Sequence, residues 1–168
     1  DQTTINLSPR ETARSLYLKY IKIGTDLVLT NLDKILNKQY DSSPQGNIKS
    51  SYYGKKSIDY SCLTIDFKKT ASQIDQQIRA FSFREFQLPK YESYNITSCE
   101  ILSSKSSQKP GSLIKESYKT IHISTIDFDM ILYKDRYEQL WSYCKLNNLN
   151  ELIELGKDLD FETKTNEG

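Results

Sequence analysis

Across residues 13–36, Ala13, Leu16, Tyr17, Tyr20, Gly24, Leu27, Val28, Ile35 and Leu36 recur at helical spacing. Just before them, Ser8-Pro9-Arg10-Glu11 gathers several helix-start signals. Ser8 can cap free N–H groups, Pro9 suits the first helical position where no donor is needed, and Glu11 completes a capping box. The spacing therefore predicts a long helix with one apolar face, which must pack against something large. Residues 1–7 read as the end of a strand. With no Met at the start and an opening in mid-strand, the sequence predicts an upstream sheet as the surface that this helix covers.

The 168 residues are 37% hydrophobic and 27% charged, which suits one modest domain or a subdomain with an appendage. Twenty-three basic residues against twenty-two acidic ones leave a net charge of +1. No basic excess points to nucleic acid, and no polybasic block points to a membrane surface. Apolar runs are all shorter than a membrane span. Cys62, Cys99 and Cys144 are widely spaced, with neither metal-ligand spacing nor a disulfide framework, so the sequence predicts a reducing cytoplasm and no metal. The twelve tyrosines suit half-buried strands as well as stacking surfaces.

After the long helix, residues 39–50 form a polar connector with Pro44 and Gly46. Residues 61–67 read as a short strand. Thr70-Ala71-Ser72-Gln73 then offers a second capping box, followed by a buried stripe of Ala71, Ile74, Ile78 and Phe81. Arg79 falls one residue outside that stripe. Residues 98–104, 112–117, 120–125 and 128–133 read as strands, with a turn at Lys109-Pro110-Gly111. The single histidine, His122, sits among β-branched residues and reads as structural. Asp135-Arg136-Tyr137-Glu138 opens a short helix bearing Leu140, Trp141 and Cys144, and a second helix with Leu149, Leu152, Ile153 and Leu155 closes at Gly156.

Two stretches in this order carry a resemblance: Ser51-Tyr52-Tyr53-Gly54-Lys55-Lys56, then Gln73-Ile74-Asp75-Gln76-Gln77-Ile78-Arg79-Ala80-Phe81. Together they resemble the region after the catalytic core of 10-formyltetrahydrofolate-dependent formyltransferases. Phe86-Gln87-Leu88-Pro89 resembles the branch acting on nucleotide-linked amino sugars rather than the transfer-RNA branch. From Leu152 to Asp160 the chain resembles the end of an ankyrin repeat, with Gly156-Lys157-Asp158 as its turn, although the usual Thr-Pro-Leu-His signature is absent. The resemblance implies a mixed α/β and α+β fold in three parts. Residues 1–38 would be the tail of a Rossmann-like formyltransferase core. Residues 39–134 would be a small antiparallel β subdomain with one helix, and residues 135–168 an ankyrin-like helix pair.

The same resemblance implies 10-formyltetrahydrofolate as formyl donor and a dTDP-linked amino-dideoxy sugar as acceptor, in a cytoplasmic homodimer feeding O-antigen-type glycan assembly. The family's catalytic Asn, His and Asp match no position here, so no catalytic residue is assigned. Substrate contacts are expected from Tyr53, Arg79, Phe81, Phe86, Gln87 and Lys90. Aromatic rings offer a stacking face for a pyrimidine, Arg79 or Lys90 can meet a diphosphate, and the Gln87 amide can read a base edge. The bend that holds Phe86 is expected to wall a nucleotide cleft shared with the opening strand. Two rival readings are a non-catalytic module pairing a dimerising β subdomain with an ankyrin-type surface, and transfer-RNA formylation.

Overall fold

A computed structural model describes residues 1–42, 52–54 and 57–146. The chain divides into two units, residues 1–134 and 135–168. The predicted second C-terminal helix and the Gly156-Lys157-Asp158 turn lie outside the described residues, as does most of the polar connector at 39–50.

The first unit is organised around helix α2 (Ala71–Phe81). Its capping box forms as the sequence predicts: the Thr70 hydroxyl accepts from the Gln73 N–H, and the Gln73 side chain accepts from the Thr70 N–H. A further donor at this end, the Ala71 N–H, reaches the Asp127 carboxylate at 2.8 Å, which ties the helix to the turn between the last two strands. Burial works against the Asp127 charge, yet hydrogen bonds from Ala71, Thr125 and Phe128 hold its carboxyl below the ordinary range.

Five strands follow: β1 (Lys90–Tyr91), β2 (Tyr94–Lys105), β3 (Leu113–Glu116), β4 (Thr120–Ser124) and β5 (Phe128–Lys134). They form one antiparallel sheet in the order β1-β2-β5-β4-β3. Gly111, at φ +85°, makes the turn into β3 that Pro110-Gly111 predicts. Ala71, Ile74 and Ile78 of α2 pack on Ile96, Cys99, Ile121, Ile123, Met130 and Leu132, all buried. Each such aliphatic side chain contributes roughly 2 kcal/mol. The sheet curls so that Lys134 of β5 meets Glu116 of β3 at 2.5 Å while its ammonium lies 3.9 Å from the Tyr94 ring centroid.

Three local expectations are corrected. The long helix α1 spans Ala13–Leu36, one turn later than Ser8 predicts. Thr12 is the N-cap and pairs with Ser15, while Ser8 and Glu11 close the preceding turn. Residues 61–67 are not a strand: Asp59 caps a 3-10 turn over Tyr60–Leu63, and only Thr64 bridges to Lys90. Residues 1–7, read as the end of a strand, take no regular secondary structure and enter no sheet among the described residues.

Helix α1 buries none of its residues. Tyr17, Leu18, Tyr20, Ile21, Val28, Leu29, Leu32, Ile35 and Leu36 all stand exposed. A stripe of this width on an isolated helix is normally covered. Residues 1–5 lie beside it, and the Asn31 amide donates to the Asp1 carboxylate at 3.0 Å. Between them runs an open apolar groove of about 800 Å³, lined among others by Ile5, Tyr20, Ile21 and Val28.

In the second unit, α3 (Tyr137–Leu146) starts where the Asp135 carboxylate accepts from the Tyr137 N–H, and the Tyr137 and Trp141 rings stack at 6.4 Å. No helix among the described residues is long and apolar enough to cross a membrane.

Candidate substrate surface

The bend between α2 and β1 is a tight backbone loop. The Phe83 N–H donates to the Gln87 carbonyl at 3.1 Å, and the N–H groups of Phe86 and Gln87 both donate to the Phe83 carbonyl at 2.8 and 2.7 Å. This closure leaves Phe86 at the tip, 71% exposed, with its ring edge-on to Phe83 at 4.7 Å. Phe83 in turn packs against Tyr17 of α1 at 5.1 Å. Two polar contacts reinforce the junction. The Arg14 N–H donates to the Ser82 carbonyl at 3.2 Å, and the Arg14 guanidinium pairs with Glu85 at 2.7 Å.

Of the six residues singled out by sequence, three share this segment in different states. Phe86 projects from the bend, Gln87 is half-buried, and Phe81 is half-buried at the end of α2. Lys90 lies three residues beyond Gln87 with an exposed side chain, its carbonyl accepting from the Ile65 N–H. Arg79 is engaged elsewhere. Its Nε donates to Asp75 at 2.9 Å and its Nη1 to the Glu11 carbonyl at 3.0 Å, so these donors fasten α2 to the entry of α1. Tyr53 stands 83% exposed beside Gly54, and among the described residues no ring contact joins it to the bend.

Sequence reasoning missed two residues that shape the surface. Tyr17 was assigned to the covered face of α1, yet it is the ring on which the bend rests. Asp75 lies outside the apolar stripe of α2, but it is buried and bound by both Arg10 and Arg79. The spacing of Asp75 and Arg79, four apart on a helix, was the available signal.

Among the described residues no group of side chains could hold a metal ion. His122 lies 3.8 Å from Asp129, with strands β4 and β5 and not at the bend. Cys99 is buried, and burial followed by the neighbouring Asp75 charge pushes its thiol up, which keeps it unreactive. The bend therefore offers rings, amides and cations, which suit binding and positioning, without an acid–base pair.

The fold is similar to that of known proteins. Residues 57–138 match the family described as formyl transferase, C-terminal domain. The methionyl-tRNA formyltransferase of Malacoplasma penetrans is 28% identical over 136 residues, 80% of this chain and 42% of that protein. The corresponding enzyme of Sulfurihydrogenibium is 33% identical over 107 residues, 62% of this chain and 34% of the relative. Among solved structures, an N-formyltransferase from Helicobacter canadensis, in complex with folinic acid and dTDP-3-aminofucose, superposes with a TM-score of 0.57 at 34% identity. That match covers 77% of this chain and 47% of the other. WlaRD, a sugar 3N-formyl transferase crystallised with dTDP and 5-N-formyl-THF, gives 0.53 at 36% identity over 74% of this chain and 44% of its own. The β subdomain thus resembles the formyl transferase C-terminal domain, and its structural neighbours include sugar N-formyltransferases. The chain spans less than half the length of these relatives.

Proposed function

We propose that this chain is the C-terminal portion of a cytoplasmic N-formyltransferase that moves a formyl group from 10-formyltetrahydrofolate to the amino group of a dTDP-linked amino-dideoxy sugar. The observation that carries the reading is the likeness to the Helicobacter canadensis enzyme, which binds a folate and a dTDP-amino sugar. The acceptor amine would attack the formyl carbon, which requires a base for the amine proton and donors for the developing oxyanion. The described residues supply neither at the bend, so no step through the folate is assigned to them.

The part proposed for this chain is to hold the acceptor. Phe86 gives a face to the base, Gln87 reads its edge, and Lys90 meets the diphosphate, with Tyr53 closing over the sugar. The apolar face of α1 beyond its first turns, from Tyr20 to Leu36, is proposed to lie under the catalytic core that precedes the subdomain, leaving Tyr17 beside the bend, and residues 135–168 to form an ankyrin-like unit. The protein is proposed to act as a homodimer in glycan assembly of the O-antigen type.

Calorimetry of the full-length protein against dTDP and UDP tests this reading. Tighter binding of dTDP is the expected result, and no heat with either nucleotide would overturn it. A second reading, transfer-RNA formylation, is favoured by the curated relatives, which are methionyl-tRNA formyltransferases. The net charge of +1 argues against it, since phosphate-backbone binding depends on cations. Binding of initiator transfer RNA at physiological salt would install that reading instead.

A further inference from the structure

We infer that the nucleobase platform is built from two elements, with Tyr17 of α1 contacting the pyrimidine alongside Phe86 of the bend. This rests on the nucleotide-sugar reading above and adds a residue from outside the bend.

The argument starts from exposure. Phe86 is 71% exposed at the tip of a loop closed by three backbone hydrogen bonds, so the loop presents the ring rather than burying it. Phe83 stands edge-on to Phe86 and tilted against Tyr17, so the three rings form one continuous aromatic surface. Tyr17 keeps 43% of its surface open, so packing on Phe83 uses only part of it. Offset and edge contacts of this kind leave free π-faces, which a planar base can meet. Glu85 pairs with Arg14 at 2.7 Å and also feels the Arg84 charge, so cationic side chains stand at the rim of this surface. The Arg14 pair with Glu85 and the Arg14 to Ser82 hydrogen bond fix the bend on the first turns of α1. The platform is consequently preorganised, and its geometry depends on α1 as much as on the bend.

Mass-spectrometric mapping of tyrosine nitration on the full-length protein, with and without dTDP, tests the inference. Saturating dTDP should slow nitration of Tyr17 several-fold while leaving Tyr118, on the turn between β3 and β4, unchanged. Tyr17→Leu should weaken dTDP about tenfold, in keeping with the worth of one base–aromatic stack, and Tyr17→Phe should stay within about twofold of the native protein. If dTDP binds and Tyr17 labels at the same rate as in its absence, the inference fails while the nucleotide reading stands. If dTDP does not bind at all, the nucleotide reading fails and this inference goes with it. A purely structural Tyr17, supporting Phe83 from behind, would weaken binding in the Leu variant without any ligand protection, and the labelling separates the two.

Discussion

Arg79 joins two helices through one guanidinium: its Nε lies 2.9 Å from Asp75 on its own helix, and its Nη1 lies 3.0 Å from the backbone carbonyl of Glu11. Arg10 completes the cluster at 3.2 Å from the other Asp75 oxygen. Because Asp75 is almost wholly buried, its charge depends on these partners. Removing the carboxylate leaves the half-buried Arg79 without its main acceptor. Asp75→Ala should cost about 3 kcal/mol in urea unfolding, as for other broken buried pairs. The exposed Arg10→Ala should cost on the order of 1 kcal/mol. Equal and small losses for both would mean that the cluster does not hold α1 in place.

Glu11 gives a pH signature at the same junction. Hydrogen bonds from Lys19, then Ser15, hold its carboxyl at about 2 against an ordinary 4.5. A carboxyl depressed in the folded state adds stability above its unfolded value and loses it as pH falls through the folded one. Glu11→Gln should therefore lower stability at pH 7 by about 1 kcal/mol, a typical helix-entry contribution. The gap between native and variant should narrow below pH 4.5 and close near pH 2. Thermal melts across that range measure it, and a gap that stays constant with pH would contradict the assignment.

How much of this was legible in the sequence depended on the range of the interactions. The capping box at Thr70 and Gln73 and the stripe of Ala71, Ile74, Ile78 and Phe81 are local; the box forms as predicted and the first three of the stripe are buried, while Phe81 at the helix end is only half-buried. The four longer strands were visible because alternation and the Pro110-Gly111 turn are local too. The start of α1 was misplaced because two overlapping signals compete: Ser8 with Glu11, and Thr12 with Ser15. The second prevails because Thr12 takes the extended conformation of an N-cap, while Pro9 and Arg10 form a turn. Asp75 escaped notice because its partner Arg10 lies 65 residues away, a pairing no periodicity reveals. Tyr17 looked like one more residue of an apolar stripe until the bend was seen resting on it.

Ile78 tests the core that carries the bend. It is fully buried between α2 and the sheet and stands four residues before Ser82, whose hydroxyl donates to its carbonyl at 2.7 Å. Ile78→Ala should cost about 3 kcal/mol, lost burial plus cavity. Ile78→Val should cost about 1 kcal/mol and leave ligand binding unchanged. A negligible loss for the alanine variant would show that α2 is not the central packing element.

Phe86 offers the sharpest test of the site, because its exposure means that truncation removes little folding energy. With 71% of its surface open, Phe86→Ala should change stability by less than about 1 kcal/mol. The loss of a stacking ring should nevertheless raise the apparent KM for the sugar nucleotide roughly tenfold while leaving the KM for the folate within about twofold. Gln87→Ala should shift the same constant in the same direction by removing the amide proposed to read the base edge. Steady-state kinetics of the full-length protein with each substrate varied in turn separates the possibilities. Equal rises in both constants would assign the bend to general upkeep of the active site, and no change in either would place the nucleotide elsewhere.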